Sequence, residues 1–358
     1  MTQAVSGSAH SQMALEIRQQ PEALVATSEA LRPRHDDLRR FANGCDRVVL
    51  FGRGSSDSAA TYGRYLLEIL VGIPAAMGAP SVMTLYDARQ SLAGTLAIFC
   101  SQSGATEELI ECSARVQQYG ARAVAVTNDP SSPLALACGL VWPTEAGVEQ
   151  AIPATKSHTT CLMALAELCL ALMPRSHPRL RDVVGSLQRV GEATHSALSL
   201  AEQADSIARR FSVGSAWCLA GRGYTYSTAL ELALKIEETS ALPCLAMSQA
   251  DLQHGPIAVL APGRPLLIAA ATSGPTLPGL SALAQMARQR ASEVVLLGGD
   301  DGLVTVADEH LAGSDLAEEV QPIPLVVTGQ LLAEALSRSR GLDPDTPTGL
   351  SKVTQTAS

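Results

Sequence analysis

Short aliphatic runs alternate along this chain with longer stretches in which apolar residues recur every three or four positions. Val48 to Phe51, Leu96 to Cys100 and Leu266 to Ala271 are apolar runs, each closed by glycine, serine or threonine. That is how strands buried on both faces read. The intervening stretches, among them Glu107 to Tyr119 and Ala229 to Ser240, carry helical spacing. Such alternation predicts an α/β fold built on doubly wound parallel sheets, whose ligands sit at the carboxyl ends of the strands.

The pattern repeats. Gly52-Arg53-Gly54, after the first strand, returns as Gly221-Arg222-Gly223; Ser103-Gly104-Ala105-Thr106 returns as Ser273-Gly274-Pro275-Thr276; Thr127-Asn128-Asp129 is echoed at Gly298-Gly299-Asp300. Three correspondences at a nearly constant offset of roughly 170 positions indicate two similar lobes from an internal duplication. The organisation expected is an N-terminal helical segment (1–34) with an amphipathic helix from Met13 to Glu29, a first lobe (35–174), and a helical connector (175–210). A second lobe (211–340) and a C-terminal tail (341–358), whose Pro- and Gly-rich start breaks regular structure, complete it.

Composition narrows the function classes. Apolar residues are 46%, charged residues 17% and aromatics only 3%, so the cores are aliphatic and the chain lies outside the disordered regime. A net charge of −9 and the lack of a basic stripe speak against a nucleic-acid surface. With no apolar run of membrane-spanning length and no basic-then-apolar start, no membrane association and a cytoplasmic location are expected. The eight cysteines contain no Cys-x-x-Cys and sit mostly within apolar patterns, which reads as buried free thiols rather than disulfides or a metal site. Small molecules are the expected partners.

Candidate chemistry lies in four places. Ser101-Gln102-Ser103-Gly104-Ala105-Thr106 follows a strand and opens a helix, so its hydroxyls can cradle an anion at the helix N-terminus, or cap the helix and do nothing else. It is not a Walker loop, and Gly52-x-Gly54 lacks the third glycine of a dinucleotide fingerprint. Glu231, Lys235 and Glu238 form one stripe of a helix: a solvated face laced by ion pairs, or a carboxylate base beside an ammonium. His254 stands at a Gly-Pro turn, where a surface role is the ordinary one. Lys352 lies near the chain end, where fraying is the default.

Taken together, Gly52-Arg53-Gly54-Ser55-Ser56, Ser101 to Thr106, Ala154-Thr155-Lys156, Gly221-Arg222-Gly223-Tyr224, Ala229-Leu230-Glu231, Leu234 to Glu238, His254-Gly255-Pro256 and Gly349 to Lys352 resemble the sugar isomerase (SIS) family. The match is most similar to the isomerase half of glucosamine-6-phosphate synthases and to stand-alone isomerase-type glucosamine-6-phosphate deaminases. It runs from about residue 12 to the end in unbroken order.

The resemblance implies roles. Ser101, Gln102, Ser103 and Thr106 match the phosphate loop and Ser56 a substrate-contacting serine. Glu238 matches the base that moves a proton between C1 and C2, and Lys235 its neighbour. His254 matches the ring-opening histidine, contributed by the other subunit of a homodimer, and Lys352 the lysine at the carbonyl end. Ala154 departs from the pattern, standing where the synthases carry a sugar-contacting serine.

Synthases of this type also carry a separate glutaminase domain with an N-terminal cysteine, whereas here Thr2 follows Met1 and a helix is read. The implied activity is therefore deamination of glucosamine-6-phosphate to fructose-6-phosphate and ammonia, with no metal or redox cofactor. A related amino-sugar phosphate (galactosamine-6-phosphate or a fructosamine phosphate) and a non-catalytic sugar-phosphate sensor are the alternatives.

Overall fold

The computed structural model describes residues 11–352 of the 358; the first ten residues of the N-terminal segment and the last six of the tail lie outside it. Ten strands form two parallel sheets. The first holds β1 (Arg47–Phe51), β2 (Ala75–Met77), β3 (Thr95–Cys100), β4 (Arg122–Thr127) and β5 (Leu140–Pro143), in the order β2-β1-β3-β4-β5. The second holds β6 (Trp217–Gly221), β7 (Cys244–Ser248), β8 (Leu266–Ala270), β9 (Val294–Gly298) and β10 (Glu309–Leu311), in the order β7-β6-β8-β9-β10. The two orders are the same, so the repeat in sequence is a repeat in topology. Every residue of β3, β8 and β9 is buried, which is why these strands read as unbroken aliphatic runs.

In each lobe the strand order reverses beside the first strand, between β1 and β3 and between β6 and β8. That switch point opens a crevice at the carboxyl ends of the strands. The turns that leave β1 and β6 are held to glycine by sterics. A Cβ on Gly52 would lie 2.4 Å from the Ser56 carbonyl oxygen, and one on Gly221 would lie 2.3 Å from that of Thr225. Both turns feed helices, Ser55–Leu66 in the first lobe and Tyr226–Ser240 in the second.

Those two helices pack on each other, and the Tyr226–Ser240 helix also packs on Pro322–Ser339. One continuous apolar core runs through this layer, joining Leu24 of the N-terminal segment, Leu50 and Leu165 of the first lobe, and Leu232 and Val327 of the second. The connector region is three helices, Leu180–Gln188, Val190–Leu198 and Ala201–Phe211. The single helix expected over Met13–Glu29 is instead two, Gln12–Arg18 and Gln20–Leu31, with Pro21 in the first turn of the second. Pro21 has no N–H and its ring excludes the carbonyl four residues back, so the chain must break before it. Among the described residues no helix is long and apolar enough to cross a membrane.

The tail from Gly341 to Lys352 contains no helix or strand, yet it is anchored. Asp345 accepts hydrogen bonds from the backbone N–H groups of Gln12 and Met13, both at 2.7 Å, and its carbonyl accepts from Ile152 N–H at 3.0 Å. A carboxylate at the N-terminus of the first helix satisfies orphan donors and complements the helix dipole.

The steric reading of the paired turns gives a measurable outcome. Gly221→Ala, in the second lobe, should lower stability by about 1–3 kcal/mol, the usual cost of forcing a methylene into a packed site, read from the denaturant midpoint. A midpoint within error of wild type would show that the turn relaxes around the added methyl.

Candidate active site

The crevice of the first lobe is a pocket of about 410 Å³, lined by the turn after β1, the loop after β3, the segment after β5, the helix Tyr226–Ser240 of the second lobe and the tail. Nine of the sequence-predicted residues line it: Ser56, Ser101, Gln102, Ser103, Thr106, Ala154, Lys235, Glu238 and Lys352. They come from five separate stretches of chain, gathered at the switch point. A second cleft of similar size, about 450 Å³, lies beside the Val190–Leu198 helix, but its Arg189 is already paired with Asp315 and no buried carboxylate–ammonium pair lines it.

The loop after β3 is built by backbone contacts. Gly104, at φ +58°, leaves no room for a side chain because a Cβ would sit 2.0 Å from Ser132 Oγ. Its N–H donates to Ser101 Oγ at 3.2 Å and its carbonyl accepts from Leu134 N–H at 3.0 Å. The helix Glu107–Gln118 begins at Thr106, whose hydroxyl makes no capping bond, and Ser103 Oγ accepts from Ala105 N–H at 3.3 Å. The helix-capping reading of these hydroxyls is therefore not what the structure forms; they stand at a helix N-terminus facing the pocket. Arg53, also on the pocket wall, donates to Glu108 at 2.7 Å.

The stripe Glu231-Lys235-Glu238 is not a solvated face. Glu231 and Lys235 are fully buried, and Lys235 Nζ bonds Glu238 and stands 3.7 Å from Glu231 Oε1. Burial pulls the Lys235 ammonium down, but the neighbouring carboxylates, Glu231 and Glu238 foremost, outweigh it and hold it above its ordinary value. Burial pushes the Glu238 carboxyl up, with Glu231 adding to the effect against the opposing lysines. A carboxylate whose proton affinity is raised toward neutrality suits a general base. Glu231 itself accepts from Ser55 Oγ at 3.0 Å and Ser58 Oγ at 2.8 Å, tying the second-lobe helix to the first.

Glu149 was missed by sequence reasoning. Its fully buried carboxylate lines the pocket and receives the Lys352 ammonium at 2.6 Å, the Ser157 hydroxyl at 2.5 Å, and the Thr155 and Ser157 N–H groups at 2.9 and 3.0 Å. Burial raises this carboxyl, but the Lys352 charge and these hydrogen bonds outweigh it and hold it below its ordinary value. The same lysine donates to the Ala151 carbonyl at 2.7 Å, so Lys352 is fixed in the pocket rather than frayed. The sequence signal was a lone glutamate in the loop after β5, with nothing to distinguish it from a surface acid. Ser157 and His158 were likewise not singled out.

His254 is the one predicted site residue that this chain does not bring to its own pocket. It is exposed at the C-terminal end of the short helix Gln249–Gln253.

The comparisons with known proteins bear on this site. A model of the SIS domain matches residues 43–171 and 217–331, one match for each lobe. The chain belongs to the SIS domain family. This SIS chain is 30% identical over 86% of its length to a glutamine–fructose-6-phosphate aminotransferase (isomerizing) from Pyrococcus horikoshii, and 32% identical over 86% to one from Gloeobacter violaceus. In both cases it spans about half the length of the relative, 51%. Its fold matches the C-terminal domain of glucosamine-fructose-6-phosphate aminotransferase from Francisella tularensis, with a TM-score of 0.86 at 24% identity over 96% of this chain and 100% of that one. It also matches glucosamine-6-phosphate deaminase from Thermotoga maritima, with a TM-score of 0.76 at 20% identity over 97% and 100%.

The Glu149–Lys352 pair sets a pH dependence. A depressed folded-state pKa contributes stability above the carboxyl's ordinary value, lost as pH falls through the folded value. Lys352→Met should lower stability near neutral pH by an amount at the low end of the roughly 3–5 kcal/mol that breaking a buried pair costs, since the lysine is partly exposed. The variant should also lose less than wild type on acidification below pH 4.5, the ordinary value of the carboxyl. Parallel curves for the two proteins would mean that the pair does not govern Glu149.

Proposed function

We propose that this chain is a deaminating aldose–ketose isomerase that converts glucosamine-6-phosphate and water to fructose-6-phosphate and ammonia. The observation that carries this reading is the buried Lys235–Glu238 pair sharing one pocket with the hydroxyl cradle Ser101–Thr106. A cradle of hydroxyls at a helix N-terminus is suited to a phosphate, and a carboxylate of raised proton affinity is suited to taking a proton from carbon. The nitrogen in the substrate is supported by the names of the relatives, which include an aminotransferase of fructose-6-phosphate and a deaminase of glucosamine-6-phosphate.

In this mechanism Ser101, Gln102, Ser103 and Thr106 hold the phosphate, and Ser56 and the backbone at Ala154 border the sugar. A remote phosphate handle fixes the reacting carbons against the base, so its binding energy is expressed as positioning. Once the ring is open, Glu238 removes the C2 proton while Lys235 keeps its carboxylate oriented and charge-balanced. The resulting enolamine is protonated at C1 to give a 2-imine, and water releases ammonia and leaves the ketose. Lys352, steered by Glu149, stands at the carbonyl end. His254 acts in ring opening from a second copy of the chain, in a homodimer, because it does not line the pocket of its own chain.

Purified protein incubated with glucosamine-6-phosphate should release ammonia and fructose-6-phosphate in equal amounts, while galactosamine-6-phosphate in parallel reads the epimer preference. Turnover without ammonia would move the function to a plain sugar-phosphate isomerase, and absence of any turnover would favour a sensor. Glu238→Gln keeps the shape but not the base, so kcat should fall by roughly 10²–10⁴ with KM little changed. In wild type the acid limb of kcat/KM should lie above 4.5, the ordinary carboxyl value, because activity is lost as pH falls through the raised value of Glu238. A limb at or below 4.5 would assign the base to a different group.

A further inference from the structure

Behind the substrate pocket lies a small cavity of about 30 Å³, lined by Ser55, Ser56, Gln102, Thr127, Thr144, Ala154, Ser157 and His158 among others. Five of these residues, Ser55, Ser56, Gln102, Ala154 and Ser157, also line the main pocket, so the two spaces share a wall. That is room enough for a water molecule, and the lining offers hydroxyls, an amide and an imidazole, more polar partners than one water needs.

His158 is the one imidazole on that lining, beside the Cys161 thiol, and the mechanism above does not use it. Its side chain is almost fully buried. Nδ1 lies 3.0 Å from the Ser55 carbonyl oxygen, an atom that can only accept, so Nδ1 carries the proton. The Glu231 carboxylate stands 3.6 Å from the same nitrogen. In the neutral ring Nε2 is then the unprotonated nitrogen, and a carboxylate and a carbonyl fix the tautomer from behind. Burial, with Lys235 adding to it, holds the imidazole below its ordinary value against the pull of Glu231, Glu149 and the Ser55 carbonyl, so the ring is neutral at neutral pH.

We propose that this cavity seats the hydrolytic water of the deamination and that His158 Nε2 is the base that activates it. The inference rests on the deaminase reading above. When the C2 imine forms, the water oxygen bonds to C2 as the C=N π pair moves to nitrogen. Nε2 takes one water proton and returns it to the departing nitrogen. Nε2 then takes the carbinolamine hydroxyl proton and passes it to the amino group, so the C2–N bond breaks with its pair leaving on ammonia as the C2 carbonyl forms, and the imidazole ends neutral. Proton abstraction at C2 and hydrolysis thus belong to different bases, Glu238 on one wall and His158 behind another.

His158→Gln separates the two steps. With glucosamine-6-phosphate in deuterated water, the variant should release ammonia at least 10²-fold more slowly than wild type, while deuterium still enters C2 of the recovered substrate at close to the wild-type rate. Interconversion of glucose-6-phosphate and fructose-6-phosphate, which needs no water, should be unaffected, and imidazole added to His158→Gly should restore ammonia release. Ala154→Val, at the wall the two spaces share, provides a second variant and should slow ammonia release more than deuterium entry.

Equal loss of exchange and ammonia release would make His158 a positioning residue and overturn the proposal. Wild-type ammonia release by a folded His158→Gln would overturn it as well. Failure of the deaminase reading looks different, because wild type itself would then release no ammonia.

Discussion

A carboxylate taken fully out of water has to be surrounded by donors, and Glu149 imposes that requirement on the helix start just after it and on the distant tail. Its oxygens are met by the start of the Lys156–Leu172 helix through Thr155 and Ser157, and by Lys352 from the tail. Glu16 on the first helix reinforces the arrangement by accepting from the N–H groups of Gln150 and Ala151, next to Glu149 in sequence. An uncompensated buried charge costs several kcal/mol, so the geometry that satisfies Glu149 is also the geometry that closes the pocket. The N-terminal helix and the tail are thereby structural parts of the site and not appendages to two lobes.

Duplication produced two switch-point crevices, and the chain has divided the work unequally between them. The first lobe keeps an open hydroxyl loop after β3. In the second, the counterpart loop at Gly274 has the Glu318 carboxyl lying against it, in space a Cβ would enter at 2.4 Å. Burial and the neighbouring Glu319 push Glu318 up to about 6, the mark of a carboxyl held in a confined site. A carboxylate there is unfavourable to an anion, so the second crevice lacks the open hydroxyl loop of the first. What the second lobe contributes is the helix Tyr226–Ser240, which carries Glu231, Lys235 and Glu238 across to the first.

The parts of this molecule legible in the sequence are those set by local rules. Apolar runs closed by glycine (β1, β6), serine (β3) or threonine (β8) marked four strands, because strand burial and tight turns leave few residue choices. Nine pocket residues were reachable because family motifs carried them. The helix stripe Glu231-Lys235-Glu238 was legible as a pattern but ambiguous in meaning, since spacing says which side chains share a face and not whether that face meets water. Glu149 and His158 were invisible for a related reason: their roles come from partners 203 and 103 positions away, Lys352 and Ser55, and Ser157 takes its role from Glu149. The two-helix break at Pro21 could have been read, since proline after a helical run ends it.

The separation between Glu149 and Lys352 has a consequence for biosynthesis. The two residues lie 203 positions apart, and translation adds roughly 5–20 residues per second. For about 10–40 s at those rates, a nascent chain can assemble the first sheet and its hydroxyl loop while the ammonium that completes Glu149 has not been made. The second-lobe helix that carries Glu238 also emerges only after the first sheet is whole. Each half-built intermediate therefore has a formed hydroxyl loop with neither the Lys235–Glu238 pair nor its closing strap, and the pocket is completed only once Lys352 has been made.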